Sequence, residues 1–489
     1  MAFTKDKLSK QYNSFKKLAY KYFEEGNFEK SKKYIEVCAR IGYKYNFSYC
    51  DDELEHLISC ISQALYKEAK VTPKNGKIVF YDSFCIDNRG LTQQYIRAIF
   101  SWGFDMLFIT SAKKIGNDIL SELKAGNSTI LQIDSSPLNQ NKEYYQEIIL
   151  RFQPEAILQH FSPWDIEGFI LWHRITGADR YLINLTDHAF WLGKCCTDHI
   201  LEFRRYGIYL SLHQRRIDAK KLLFQPYYPI ESKKAFQGFN IPQNKTLLFS
   251  GSSYYKIYGK DKIFLKLVRQ VLEANDNAVF LLAGNGNDRP IKKFIKEHNL
   301  GERFFLLGNR NDISAVITNI DIYINTYPMI GGLMSQYAAV KHKAIIGYTD
   351  PELYCFNDTE DFLGVPKAEL LLKSSIDDFL KEVTLLINSD KQRKINIEHS
   401  KNSVITPEQF SKTLFSNLFE KKKNVDFDLN DIKVNVDAIR DLYFDMEINY
   451  INEHYSIIWD HLGMSILRDK PFLGVKTIFY KVTKKISFI

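Results

Sequence analysis

Between residues 245 and 348 four apolar stretches follow one another, and each ends in small or polar residues. They read KTLLFSGSSYYKIYGKD, AVFLLAGNGND, RFFLLGNRND and DIYINTYPMIGGLMSQYAAVKHKAIIGY, with helical patterns between them. Near-continuous Val, Ile, Leu and Phe runs predict strands buried on both faces, as in a parallel sheet covered by helices. Such a sheet gathers its ligand-binding loops at the strand C-terminal ends. The loop Tyr327-Pro328-Met329-Ile330-Gly331-Gly332 then opens a helix, where glycines let backbone N–H groups come close to a phosphate.

A second strand-rich half comes before this one. After Thr72-Pro73-Lys74-Asn75-Gly76, the segments KIVFYD, MLFIT, STILQID, AILQHF, RYLINLTDHAF and GIYLSLH are strand candidates, several with helices between them. The expected fold class is α/β, with two facing Rossmann-like domains at 76–235 and 243–390. Gln225-Pro226-Tyr227-Tyr228-Pro229-Ile230 is the expected crossover, because two prolines so close oppose both helix and central strand. Residues 1–72 and 391–489 read as helical. In the first of these, Ala19, Tyr22, Phe23, Phe28, Tyr34 and Ile35 fall near helical spacing about a break at Gly26-Asn27, like one tetratricopeptide-type hairpin. A single such unit is either a protein-binding module or an appendage packed on the body.

At 489 residues the chain exceeds one core, while 45% hydrophobic and 25% charged residues are ordinary for a globular protein. No run of about 18 apolar residues offers a transmembrane helix, and the N-terminus MAFTKDKLSKQYNSFKK has no apolar signal segment. Seven scattered cysteines without a CxxC pair suit a reducing compartment. A cytoplasmic location is expected. The net charge of +8 is spread along the chain and the aromatics lie in apolar runs, so nucleic acid is not an expected partner. Residues 470–489 differ: five lysines, no acid, and Phe472, Val475, Phe479, Val482 and Ile486 on one helical face. Such a helix lies on an anionic membrane surface, or turns its stripe onto the protein body.

Two facing nucleotide folds with phosphate-type loops in the second resemble the GT-B glycosyltransferases, over about 76–390. The segment Tyr255-Lys256-Ile257 after the first strand of the second half resembles that of O-GlcNAc transferases and bacterial adhesin-glycosylating transferases. The resemblance implies that Lys256 neutralises a nucleotide diphosphate. Glycosyl transfer builds negative charge on the departing diphosphate, so without a metal the protein must supply cations and N–H donors. Ser252, Ser253, Lys256 and the backbone at Gly331, Gly332 and Leu333 are the candidates. Gly284, Asn285 and Asn309, at the next two strand ends, are expected to line the nucleoside pocket. Gln336 stands where relatives often place a carboxylate on the ribose.

Many retaining members carry two glutamates eight residues apart here; this chain has Pro328 and Gln336. An inverting mechanism is therefore expected, with Asp187-His188 after RYLINLT as first choice of base and His160 with Asp165 as second. Arg89 and Gly90 are expected at the acceptor side of the cleft. No metal and no other cofactor is expected: no DxD-type pair ends a strand, and adjacent Cys195 and Cys196 with His188 and His199 chelate one ion poorly. The expected reaction uses a nucleotide-diphosphate sugar, UDP favoured, with a lipid-linked saccharide acceptor in bacterial surface polysaccharide synthesis. A protein O- or N-glycosyltransferase and a non-catalytic scaffold are the alternatives.

Overall fold

The computed structural model describes residues 3–88, 91–133, 142–232, 234–366, 370–420 and 428–486. Arg89, Gly90 and the run Lys421-Lys422-Lys423 lie outside the described residues. The first half contains β1 (Ala69–Lys70), β2 (Lys77–Asp82), β3 (Asp105–Thr110), β4 (Thr129–Gln132), β5 (Ala156–His160), β6 (Ile175–Thr176), β7 (Asp179–Ile183), β8 (His199–Glu202) and β9 (Leu222–Phe224). Seven of these form one sheet in the order β4-β3-β2-β5-β7-β8-β9, while β1 and β6 pair separately. All pairs are parallel, as in Phe80 opposite both Phe108 and Leu158. The chain winds outward from β2 and returns past it to β5, so the switch point lies between these two strands.

The second half repeats the plan. Its strands are β10 (Thr246–Gly251), β11 (Ala278–Ala283), β12 (Phe304–Gly308), β13 (Ile322–Ile324), β14 (Ala344–Tyr348) and β15 (Leu372–Lys373). Their order is β12-β11-β10-β13-β14-β15, again all parallel, with the switch between β10 and β13. Every residue of β11 and of β14 is buried, which is why these segments read as unbroken apolar runs.

One expected strand is a helix. GIYLSLH lies in Arg205–His213, which buries Tyr206, Gly207, Ile208, Leu210 and Ser211. Its Ile-Tyr-Leu-Ser-Leu order imitates a period of two, but packing onto the sheet selects the helical face. On that side β7 pairs with the short segment His199–Glu202, and Leu222–Phe224 pairs in turn with His199–Glu202 at the sheet edge.

Three N-terminal helices, Lys5–Glu24, Phe28–Tyr45 and Asp52–Leu65, are built into the body. Phe15, Tyr34 and Ile58 share one core with Phe169 and Trp172 of the first domain and with Ile458 and Ile466 near the C-terminus. Lys32 bridges to Glu167 at 2.6 Å. The hairpin is thus a packed wall. The C-terminal segment crosses back twice. Helix Pro407–Phe415 seats Phe410 against Tyr95 and Tyr228, and later helices clasp the N-terminal ones.

The last helix, Pro471–Ile486, buries Gly474 and Thr477 on the body. Its apolar stripe faces the other way: Phe472, Val475, Phe479 and Val482 are 52–95% exposed. No helix among the described residues is long and apolar enough to cross a membrane.

Candidate functional site

The C-terminal edges of the two sheets meet around a cavity of about 300 Å³. The first domain supplies the loop after β7, including Thr186, Asp187 and His188, and Phe203 with Arg204 after β8. The second supplies Tyr255 and Lys256 after β10, and Met329, Ile330, Gly332 and Leu333 after β13. Each contribution follows from strand polarity, since parallel strands deliver all their C-terminal loops to one edge.

Asp187 is fully buried and serves two neighbours. Arg204 holds it through Nε and, at 3.3 Å, through Nη2; His188 Nδ1 lies 3.2 Å from its Oδ1. Burial opposes ionisation of Asp187, but the Arg204 guanidinium and the His188 ring outweigh it and hold the carboxyl down at about 2. Burial also pushes His188 below the ordinary histidine value, against the pull of Asp187. With Nδ1 on Asp187, the ring presents Nε2 as its working nitrogen. The loop itself is pinned from behind by buried Arg215, whose Nη2 donates to the carbonyls of Asp187 at 2.7 Å and Ala189 at 2.8 Å.

Lys256 follows β10 in a short 3₁₀ turn and donates its Nζ to the Ile330 carbonyl at 3.1 Å. Burial and the nearby Arg204 lower it to about 8, only partly opposed by Asp187. Beside it begins helix Gly332–Val340. The Gly331 N–H is taken by Asn325 Oδ1 at 3.0 Å, and no side chain among the described residues caps the helix. The first-turn N–H groups at Gly332 and Leu333 therefore have no intrahelical acceptor, and both residues line the cavity. A Cβ on Gly332 would come within 2.0 Å of the Phe362 ring, so any larger residue here would have to displace that ring. A half-buried ammonium beside an uncapped helix N-terminus is an anion-binding arrangement.

The other expected residues divide by position. Ser252 and Ser253 stand half-buried in the turn leading to Lys256. Gly284 supports that turn: at φ +155 it packs so tightly that a Cβ would meet the Ser252 carbonyl oxygen at 1.8 Å. Asn285 and Asn309 are exposed at the strand ends, away from the walls of the cavity. Gln336 is buried and donates to the Tyr227 carbonyl at 3.0 Å, beneath the crossover; one turn into its helix it faces the linker instead of a ribose. His160 and Asp165 are buried outside the cavity. His160 Nδ1 lies 3.1 Å from Asp82, and Asp165 caps helix Ile166–His173 through the Gly168 N–H at 3.1 Å. Arg204 and Arg215 were not anticipated. Arg204 follows the short strand His199–Glu202 directly, so the strand-end rule finds it once that strand is recognised.

No protein-family model matches the chain. Among solved structures, it is similar to a glycosyltransferase from Rickettsia africae, with a TM-score of 0.54 and 13% identity, covering 72% of this chain and 100% of that one. A mutant form of Thermobaculum terrenum O-GlcNAc transferase gives 0.53 and 12%, covering 90% and 82%. Anabaena HepE, in complex with UDP and glucose, gives 0.51 and 12%, covering 71% and 100%. One curated protein, the RNA polymerase β″ subunit of Marchantia polymorpha, aligns at 22% identity over 462 residues. That alignment covers 85% of this chain and 30% of the other, so the chain spans less than a third of that relative. The fold is GT-B: two doubly wound sheets facing each other across one cavity.

Proposed function

We propose that this chain is a metal-independent, inverting glycosyltransferase that uses a nucleotide-diphosphate sugar. The carrying observation is that Lys256 of one domain and the Asp187–His188 pair of the other line the same cavity. His188 Nε2 would take the proton of an acceptor hydroxyl as that oxygen attacks the anomeric carbon. The bond from that carbon to the diphosphate oxygen breaks on the opposite face. Lys256 and the N–H groups at Gly332 and Leu333 would receive the charge that develops on the leaving diphosphate. Asp187 is already shared with Arg204, so it orients His188 more than it raises its basicity, and the ring stays neutral near pH 7. UDP is the favoured nucleotide, in line with the ligand of the HepE structure.

The favoured acceptor is a lipid-linked saccharide of surface polysaccharide synthesis, met at an anionic membrane face through residues 470–489. The outward stripe of that helix supports this reading over a packed tail. The test begins with thermal shift against UDP, GDP, CDP and ADP, with Lys256→Ala in parallel. A nucleoside diphosphate should stabilise the wild type and lose most of its effect in the mutant. Turnover of the matching sugar nucleotide should survive EDTA and invert the anomeric centre. A similar fold occurs in a Listeria monocytogenes protein assigned as a UDP-N-acetylglucosamine 2-epimerase. Release of free, epimerised sugar without an acceptor would therefore replace the transferase reading. Absence of any nucleotide binding would favour a scaffold.

A further inference from the structure

One wall of the cavity is aromatic, and part of it comes from outside both sheets. Tyr43, near the end of helix Phe28–Tyr45, meets Trp164 of the loop after β5 edge to face, with ring centroids 5.2 Å apart. Phe84 after β2 and Tyr255 after β10 extend this wall. All four rings are half-buried and line the cavity. Trp164 is braced from behind. The Arg40 guanidinium stands 4.5 Å from its ring centroid, and the Glu36 carboxylate accepts from Arg40 Nε at 2.9 Å and Nη2 at 2.7 Å. His461 Nδ1 lies 3.3 Å from the same carboxylate. A tryptophan fixed in this way keeps a defined face without help from a ligand.

The wall also carries polar tips. The Tyr43 and Tyr255 hydroxyls have no hydrogen-bond partner among the described residues. Burial raises both phenols above the ordinary tyrosine value, so they remain donors. Rigid rings combined with unpaired hydroxyl donors suit a pyranose, whose C–H face packs on an aromatic ring while its hydroxyls take hydrogen bonds. A serine or threonine side chain on a peptide is too small to cover Trp164 and Tyr43 together.

We infer that Tyr43, Trp164 and Tyr255 form an acceptor subsite for a sugar ring. The acceptor is then a saccharide, and the N-terminal hairpin belongs to the site because it supplies Tyr43. This inference rests on the transferase reading.

The test uses the full chain saturated with the nucleoside diphosphate that stabilises it. Saturation-transfer NMR is recorded with methyl glycosides of glucose, galactose, N-acetylglucosamine, mannose and rhamnose, and with a Ser/Thr peptide. At least one glycoside should bind, with saturation concentrated on one ring face. Trp164→Ala and Tyr43→Ala should each weaken it by about tenfold or more, while Trp164→Phe keeps most of the binding and Tyr43→Phe, which loses the hydroxyl but keeps the ring, falls between wild type and Tyr43→Ala. Nucleotide affinity should be the same in all four variants, which shows that they are folded. The inference is overturned if nucleotide binds but no glycoside does, if Trp164→Ala binds glycoside equally well, or if only the peptide binds. Failure of every nucleotide to bind would instead remove the transferase reading, and this subsite with it.

Discussion

Lys256 carries a charge that its surroundings resist. Burial and Arg204 bring its pKa down to about 8, so the free protein begins to lose this cation just above neutral pH. A bound diphosphate stabilises the ammonium and raises its pKa again. Nucleotide affinity should therefore be level near pH 7 and weaken as pH rises through 8, by up to about tenfold per unit until the bound-state value is reached. Isothermal titration between pH 6.5 and 9.5 measures this, and Lys256→Arg should remove the dependence because arginine stays charged. Lys256→Ala should weaken binding about 10- to 100-fold, the range for hydrogen bonds from a charged donor. His188 has the opposite sign. Its pKa is held below the ordinary value, so kcat should fall only as pH drops below about 6.5 and be flat above. His188→Asn should lower kcat by about 10²- to 10⁴-fold and leave nucleotide affinity unchanged. An equal loss of both would place His188 in binding and not in proton transfer.

At the scale of elements, the helix Pro471–Ile486 makes its own prediction. Its exposed Phe472 and Phe479, with Met464 nearby, are the three most exposed large apolar residues of the described chain. Lys476 and Lys481 are among the lysines on the helix, and no acid stands between 470 and 489. Apolar burial drives such a helix into the interface and anionic lipid adds about 1 kcal/mol per lysine. Flotation with vesicles containing phosphatidylglycerol should recover the wild type, less so in high salt. Phe472→Ser with Phe479→Ser should cut partitioning at least about 100-fold, taking the lower end of aromatic burial for each ring. Retained flotation would assign the membrane contact elsewhere. Elements also show what the sequence makes legible. The parallel strands and the Gly331-Gly332 terminus could be read, because double-sided burial and close backbone approach both leave local signals. Gln336, His160 and Asp165 were misplaced because strand and helix ends look alike from sequence, whether a side chain turns to the cleft or to the crossover. Arg215 leaves no local signal, since its partners are carbonyls 26 and 28 residues upstream.

The whole molecule ties its cavity to distant parts of the chain. Tyr43 reaches the cavity only because helix Phe28–Tyr45 is fixed between the first domain and the C-terminal helices. One fastening is chemical: Asp469, with its side chain nearly buried, accepts the hydroxyls of Tyr22 at 2.6 Å and Tyr34 at 2.8 Å. Burial alone would raise this carboxyl, but the two tyrosines and Arg468 keep it below the ordinary value. Asp469→Ala would leave two buried hydroxyls without their acceptor, at about 1–3 kcal/mol each. A stability loss of about 2–4 kcal/mol is expected, seen as a lower urea midpoint. The loosened hairpin carries Tyr43 but none of the phosphate-binding groups. Nucleotide affinity in Asp469→Ala should therefore be preserved while glycoside binding declines, although position 469 is not among the residues lining the cavity. If both are preserved, the hairpin is held well enough by its apolar core. If both decline, the N-terminal helices support the two domains as a unit, and the division between a donor wall and an acceptor wall does not describe how this protein works.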